Sequence, residues 1–260
     1  AMTEQPEKLD VSGVDIAVRH RSGGAPGLVW LGGYRSDMLG TKAERLDQLA
    51  GDLGLAYTRH DYSGHGEAGG AFTDGTISKW LAESIAVFER YTKGPQILIG
   101  SSMGGWIALR MVQELNRGGP DDRIAGMVLL APAPDFTHEL MEPELTEKER
   151  ADMETKGYFE EFSEYSPDPN IFTKALFEDG RRNRVLVEPL DTHCPVHILQ
   201  GMADPDVPYT HAQKLMEFLS RDDAALTMIK DGDHRLSRPQ DLDLLARTVT
   251  AMVEPIRAAR

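Results

Sequence analysis

Short apolar runs recur along the chain, and stretches with helical spacing separate them. The runs are nearly continuous instead of alternating with polar residues, which is typical of strands covered on both faces in a parallel sheet. They lie at residues 28–31, 56–58, 97–99, 127–130, 196–199 and 226–229. Between the runs, apolar residues such as Leu46, Leu49 and Leu53 share one helical face. Alternating strands and helices predict a three-layer α/β sandwich with a mostly parallel sheet.

Two segments depart from this alternation. Weak apolar alternation in the segment up to Arg21 predicts an antiparallel edge hairpin. Residues 136–188 lack a convincing core strand and form a segment too long for a loop inside a compact domain. They are rich in Glu and contain helical stretches, which predicts a small helical lid inserted after the strand that ends at Ala131. The predicted core domain then comprises residues 2–135 and 189–260.

Composition narrows the classes of function. The 260 residues are 40% hydrophobic, as expected of a globular protein, and carry a formal net charge of −14 without any cluster of Lys and Arg. Such a charge repels a phosphate backbone, so a nucleic-acid partner is not expected. No apolar run reaches the roughly 18 residues that suggest a membrane span, and the N-terminus does not resemble a signal peptide. A cytoplasmic protein is therefore expected.

Residues 100–104 read G-S-S-M-G, directly after an apolar strand and before a helical pattern that begins at Trp106. G-x-S-x-G between a strand and a helix is the context of a nucleophile elbow. Gly100 and Gly104 suit a turn so sharp that side chains there would meet neighbouring backbone, with Ser102 strained and its hydroxyl exposed. Ser102 is the predicted nucleophile, and a glycine-rich turn without chemistry is the alternative.

His234 is the predicted general base, because serine is a poor nucleophile unless a base takes its proton. It follows the last core strand through a turn-rich loop at the carboxyl end of the sheet, and it comes last in the order of nucleophile, acid and histidine. His60 and His65 flank the loop after the second strand and are candidates for lining the pocket. His193 and His197 lack further ligands at the spacing of a metal site, so no metal is predicted.

The acid that orients His234 is expected after the strand at residues 196–199. Residues 201–208 read G-M-A-D-P-D-V-P and offer Asp204 and Asp206. Asp204 is preferred for its place in the pattern G-x-x-D-x-x-V-P, three residues after the glycine, and Asp206 as a turn residue is the competing candidate. The acid holds the imidazole in one tautomer and stabilises its charged form.

Acyl transfer also needs donors for the oxyanion and a site for the acyl group. The predicted oxyanion donors are the backbone N–H groups of Met103 and Tyr34, with Gly33 as the alternative to Tyr34. The acyl group is expected between the carboxyl edge of the sheet and the lid, although the apolar lid side chains could equally pack within the lid. The residues predicted to bind substrate are Gly33, Ser101, Met141, Phe159 and Phe162.

Several motifs make the chain resemble the α/β-hydrolase family over essentially its full length. They are the strand, elbow and helix at residues 97–106, the G-x-x-D-x-x-V-P motif, and G-D-H at 232–234. A closer likeness is to the abhydrolase domain-containing protein 10 group, to which these stretches are similar: 33–34, 40–43, 61–64, 100–106 and 233–235. The resemblance implies an α/β-hydrolase sandwich and a thioesterase or esterase acting on acyl groups, including S-acylated cysteine and acyl-glucuronide esters. The lid matches less clearly.

The function predicted from the sequence is that of a serine hydrolase. It would cleave carboxylic ester or thioester bonds of acyl substrates through an acyl-enzyme intermediate, without a cofactor. One rival is a carbon-carbon bond hydrolase or lactonase with the same three residues, and another is a non-catalytic ligand receptor on the same scaffold. Dehalogenases and epoxide hydrolases of this architecture use an Asp nucleophile, so Ser102 argues against them.

Overall fold

The computed structural model describes residues 5–163, 166–219, 221 and 223–259. The strands are β1 (Glu7–Val11), β2 (Val14–Arg21), β3 (Gly24–Leu31), β4 (Leu55–Asp61), β5 (Gln96–Ser101), β6 (Ile124–Leu130), β7 (Tyr158–Ser163), β8 (Ser166–Thr173), β9 (Val196–Gly201) and β10 (Ala224–Ile229). The α-helices are α1 (Thr41–Leu53), α2 (Ile77–Tyr91), α3 (Met103–Leu115), α4 (Glu147–Lys156), α5 (Lys174–Arg182), α6 (Tyr209–Phe218) and α7 (Pro239–Ala258). Short 3-10 turns lie at Phe72–Asp74 and Glu142–Glu144, and a π turn lies at Thr137–Met141.

One large sheet forms the middle layer. In the described part of the chain it has eight strands, in the order β1-β2-β4-β3-β5-β6-β9-β10. The pairs β1·β2 and β2·β4 are antiparallel, and the other pairs are parallel. The predicted edge hairpin and the mostly parallel sheet are therefore confirmed. The strand order reverses at β3, which has β4 on one side and β5 on the other, and ligands of such sheets bind where the order reverses.

Helices cover both faces of this sheet. Side chains of a strand point alternately to its two faces, so one strand contributes to two cores. On β5, Leu98 belongs to the core formed with α2, α3 and α6, whereas Ile97 and Ile99 belong to the core formed with α1 and α7. The predicted three-layer sandwich is thus confirmed. Each helix among the described residues is too short or too polar to cross a lipid bilayer.

Residues 136–188, called the insertion below, contain more than helices. β7 and β8 pair in an antiparallel hairpin that forms a separate two-stranded sheet between α4 and α5. The insertion does contain helices, α4 and α5, as expected of the helical lid, but the hairpin between them was not predicted from the sequence. Pro167 and Pro169 lie within β8 and normally argue against a strand, but proline is tolerated on an edge strand, where an N–H group is not needed for pairing. The bounds of the insertion as a domain stay a prediction.

Asp135 joins the two ends of the insertion. Its side chain is buried, and its carboxylate accepts hydrogen bonds from the N–H groups of Val185 and Leu186, both at 2.8 Å. Burial raises the pKa of this carboxyl, against the lowering effect of the two N–H donors. The segment that leaves β6 and the segment that returns toward β9 are thereby held together beside the carboxyl edge of the sheet.

Candidate active site

Ser102 lies in the sharp turn between β5 and α3. Its φ of 55° and ψ of −117° are strained for a residue other than glycine. A Cβ atom on Gly100 would collide with the carbonyl group of Gly104, and a Cβ atom on Gly104 would collide with that of Leu31. The close approach of β3, β5 and α3 therefore requires glycine at both positions, and it lifts Ser102 to the edge of the sheet.

The structure brings together the three side chains predicted to be catalytic. Ser102 Oγ lies 3.1 Å from His234 Nε2, and His234 Nδ1 lies 2.7 Å from Asp204 Oδ2. Ser102 follows β5, Asp204 follows β9, and His234 follows β10. The carboxyl ends of parallel strands meet at one edge of a sheet, so side chains as far as 132 positions apart in sequence reach hydrogen-bonding distance.

Asp204 is held in one orientation. Its side chain is fully buried, at 0% exposure, and its Oδ1 accepts hydrogen bonds from the N–H groups of Asp206 at 2.8 Å and Val207 at 2.9 Å. The competing candidate, Asp206, has an exposed side chain and contributes only its backbone N–H. Because an ionised carboxylate only accepts, His234 Nδ1 carries the proton and Nε2 presents its lone pair to Ser102.

Two backbone N–H groups beside Ser102 correspond to the predicted oxyanion donors. Met103 is the first residue of α3, so its N–H has no partner within the helix. Tyr34 follows Gly33 in the loop after β3, and a Cβ on Gly33 would lie 3.6 Å from Ser102 Cβ. Within the described residues, neither the N–H of Met103 nor that of Tyr34 donates a hydrogen bond. Their role as oxyanion donors stays a prediction.

A cavity of about 540 Å³ lies over these groups. Four of the five residues predicted to bind substrate line it, namely Gly33, Ser101, Met141 and Phe159. The insertion supplies most of the apolar wall, through Phe136, Leu140, Met141, Leu145, Phe159 and Phe172. The cavity therefore joins the predicted nucleophile to a surface suited to hydrocarbon, while the binding role of each residue stays a prediction.

Phe162, the fifth of these residues, does not line the cavity. Its side chain is 73% exposed. Side chains alternate along a strand, so on β7 Phe159 and Glu161 face the cavity while Phe162 faces solvent. Without the hairpin, which the sequence did not predict, this alternation could not be foreseen.

His60 and His65 also lie outside the cavity wall. His60 is buried, and its Nε2 lies 3.0 Å from Ser84 Oγ, whose hydroxyl donates to the carbonyl oxygen of Trp80 at 2.8 Å. His60 therefore donates through Nε2, and its Nδ1 has no hydrogen-bond partner among the described residues. Burial, and to a smaller extent the nearby His65, lowers the pKa of His60 to about 4. His60 is a neutral core residue.

Lys42 is a cavity residue that sequence reasoning missed. Its ammonium group, near the start of α1, donates to the carbonyl oxygen of Arg235 and, at 3.3 Å, to Ser237 Oγ. Burial lowers its pKa to about 8. Lys42 thus ties the loop that carries His234 to α1. It belongs to the stretch 40–43 that carries part of the resemblance, but a lone lysine gives no sign of a contact with residue 235.

Three groups of a metal-binding type lie within 4.8 Å of one another in the described part of the chain, on Asp204, Asp206 and His234. The hydrogen bond between His234 Nδ1 and Asp204 Oδ2 already accounts for the closeness of two of them. The same two atoms would have to separate and His234 Nδ1 lose its proton before they could bind an ion.

Comparison with known proteins places this geometry in a family. The model of the alpha/beta hydrolase family matches residues 22–247. The mitochondrial palmitoyl-protein thioesterase ABHD10 of Bos taurus is 29% identical over 245 residues, which are 93% of this chain and 78% of the relative. The protein of the same name from Homo sapiens is 28% identical over 243 residues, again 93% and 78% of the two chains.

Solved structures agree with the sequence relatives. A hydrolase candidate from Agrobacterium vitis S4 superposes on this chain with a TM-score of 0.93 at 56% identity. The match covers 98% of this chain and 100% of that chain. Mouse alpha/beta hydrolase domain-containing protein 10 gives a TM-score of 0.86 at 27% identity, covering 96% and 99%. The α/β-hydrolase sandwich and the closer resemblance stated from the sequence are therefore confirmed.

Proposed function

The chain belongs to the alpha/beta hydrolase family, and from this premise we propose that it is a serine hydrolase of acyl esters or thioesters with Ser102 as nucleophile. The enzyme class expected from the sequence, an ester or thioester hydrolase, agrees with the thioesterase activity named for the bovine and mouse relatives. The observation that carries the assignment of Ser102 is its hydrogen bond, at 3.1 Å, to an imidazole that a buried carboxylate holds in the required tautomer.

In the first half of the reaction, His234 Nε2 takes the proton of Ser102 while Oγ bonds to the carbonyl carbon of the substrate. Asp204 stabilises the imidazolium, and the N–H groups of Met103 and Tyr34 donate to the negatively charged oxygen of the tetrahedral intermediate. The intermediate then releases the alcohol or thiol, which receives its proton from His234, and the acyl group stays on Ser102.

In the second half, water replaces the leaving group. His234 Nε2 takes a proton from the water while the water oxygen bonds to the acyl carbon. His234 then returns that proton to Ser102 Oγ as the carboxylic acid leaves. Each step uses only side chains, backbone N–H groups and water, so the absence of a cofactor or metal requirement stays part of the proposal.

We assign the acyl group to the apolar wall that the insertion contributes. A hydrocarbon chain there would contact Phe136, Met141, Phe159 and Phe172, which line the cavity on the side of the insertion. In this proposal the insertion acts as a lid over the acyl group, and apolar burial provides most of the binding energy. The curated relatives carry the word mitochondrial in their names, and the cytoplasmic location expected for this chain stays a prediction.

The test is a rate profile over p-nitrophenyl esters and N-acetylcysteamine thioesters from acetyl to palmitoyl, with Ser102→Ala beside the wild type. We expect Ser102→Ala to lose about 10⁶-fold in kcat, as in other enzymes of this mechanism, and to resist labelling by a fluorophosphonate. Ser22→Ala is the matched control, because Ser22 is exposed in the turn between β2 and β3. Activity that survives in Ser102→Ala, or hydrolysis of a β-diketone added to the panel without hydrolysis of any ester or thioester, would contradict the proposal.

A further inference from the structure

The loop that carries one proposed oxyanion donor is bonded to the insertion. The hydroxyl of Tyr34 donates to the carbonyl oxygen of Ile171, on β8, at 2.6 Å. The ring of Tyr34 also stacks on that of Phe172, with centroids 5.0 Å apart and planes 8° from parallel. Both contacts cross from the core domain to the hairpin, so the position of the Tyr34 side chain depends on where the hairpin lies.

Arg35, the next residue, is held from both sides. Its guanidinium donates through Nη1 to the carbonyl oxygen of Pro169 at 3.0 Å and to Asn170 Oδ1 at 2.5 Å, both on β8. Its backbone N–H donates to His65 Nε2 at 3.1 Å, on the side of the core. His65 Nδ1 lies 3.0 Å from the carbonyl oxygen of Ser63 and donates to it, which leaves Nε2 as an acceptor.

The backbone between these anchors has little freedom. Arg35 has a φ of 64°, in the left-handed region that a residue with a side chain adopts only under constraint. The N–H of Ser36 donates to the carbonyl oxygen of Gly33 at 3.2 Å and closes the turn. Burial lowers the pKa of His65, so its imidazole stays neutral and keeps its acceptor. The peptide that contains the Tyr34 N–H therefore lies in a turn fixed by the hairpin and by His65.

We infer that Tyr34 and Arg35 are positioning residues, whose side chains let the β7–β8 hairpin aim the Tyr34 N–H at the oxyanion. The inference rests on the proposed function, and it adds that the insertion takes part in transition-state stabilisation besides binding the acyl group. Arg35 is exposed, and hydrogen bonds of exposed residues add little to stability. If these contacts only stabilised the fold, their loss would leave the kcat of the folded enzyme unchanged.

Tyr34→Phe isolates the effect, because it removes the bond to Ile171 and keeps the ring and the backbone N–H. Loss of a whole oxyanion donor lowers kcat about 10²- to 10³-fold, and we expect a misaimed donor to lower it about tenfold, with KM changed less than about twofold. Asn170→Ala should act in the same direction. Tyr158→Phe is the matched control, since Tyr158 is on the same hairpin and makes no hydrogen bond to the loop at 33–35 among the described contacts.

A second measurement distinguishes a misdirected Tyr34 N–H from a variant that folds poorly. A boronic acid that forms a tetrahedral adduct with Ser102 should bind Tyr34→Phe and Asn170→Ala more weakly, by the factor lost in kcat, whereas an unreactive amide analogue should bind all variants equally. The double variant, Tyr34→Phe with Asn170→Ala, should lose less kcat than the product of the two single losses, because both changes act on the same N–H donor. Arg35→Lys should recover part of the activity that Arg35→Met loses.

Two results would overturn the inference: wild-type kcat in both folded single variants, or a change confined to KM. If Tyr34→Phe lacks the wild-type circular dichroism spectrum, Asn170→Ala decides alone, because Asn170 is a half-buried residue at the cavity and lies outside the hydrophobic core. Activity that persists in Ser102→Ala would instead overturn the proposed function, so the two failures are distinguishable.

Discussion

Replacing Asp204 by asparagine keeps the shape of the side chain and changes only which atoms donate. In the structure, Asp204 Oδ1 accepts from the N–H groups of Asp206 and Val207. The amide oxygen of asparagine must take this position, because an NH₂ group there would face two donors. The NH₂ group then points at His234 Nδ1 and donates to it. The imidazole proton moves to Nε2, the atom that faces Ser102.

This tautomer cannot act as the base. With a proton on Nε2, His234 cannot accept the proton of Ser102, and the neutral amide does not stabilise an imidazolium. In a serine protease the corresponding change lowers kcat about 10⁴-fold, which is about 5 kcal/mol of transition-state stabilisation. We expect the same order here. KM should change by less than about threefold, because Asp204 itself does not line the cavity.

The assay is steady-state hydrolysis of one p-nitrophenyl ester at pH 7 by the wild type, Asp204→Asn and Asp206→Asn. Asp206→Asn is the matched control, because it makes the same chemical change two positions away on an exposed side chain. The Asp206 carboxylate lies near His234 and lines the cavity but makes no hydrogen bond to His234. Because a single charge near the surface changes the energy of an imidazolium by only about 1 kcal/mol, Asp206→Asn should retain kcat within about tenfold. If Asp204→Asn retained more than a tenth of kcat, or if both variants lost equally, the assignment of the orienting acid would be refuted.

Three further predictions follow from packing, burial and charge. Gly104→Ala should destabilise the fold by at least about 3 kcal/mol in urea unfolding, because the added methyl group meets the backbone of Leu31; Gly118→Ala, with open space around it, should stay within about 0.5 kcal/mol of the wild type. Stability should fall from pH 6.5 to pH 4 partly through His60, whose pKa is about 4 when folded and 6.5 when unfolded, since only the unfolded chain binds a proton there. His60→Gln should reduce that fall by up to about 3 kcal/mol, and an unchanged pH slope would contradict the argument. Acyl-CoA should be a poorer substrate than the N-acetylcysteamine thioester of the same acid, because the net charge of −14 repels its phosphates; the difference should shrink as salt is added, and a preference for acyl-CoA would count against it.

The parts of the fold that could be predicted are those with local signals. The core strands are short, continuous apolar runs, and the turn at Ser102 has glycines where the backbone leaves no room for a Cβ atom. His234 and Asp204 were predictable because each follows a core strand, and parallel strands all end at one edge. For these residues the position along the sequence already determines the position in space.

The hairpin in the insertion had no such signal. β7 contains five aromatic or acidic residues in succession, and β8 contains two prolines, so neither shows the apolar alternation of a half-buried strand. Their pairing depends on what lies beneath them, chiefly the burial of Phe159 and Phe172 against the core. Tertiary contacts of this kind override local propensity, and the error at Phe162 follows from the same cause.

The contacts of Tyr34 show where prediction from one sequence ends. The motif context of the loop after β3 was enough to nominate its N–H as a donor, since family geometry places such a loop beside the nucleophile. Nothing in the sequence pairs Tyr34 with Ile171, because the bond joins a side chain to a backbone oxygen 137 positions away and any residue at 171 supplies that oxygen. A hydrogen bond to a backbone atom does not require a particular amino acid at that position, so the sequence does not reveal it. The sequence was therefore enough to propose the chemistry of this site, whereas the contacts between the insertion and the loop of the proposed oxyanion donor are seen only in the folded chain.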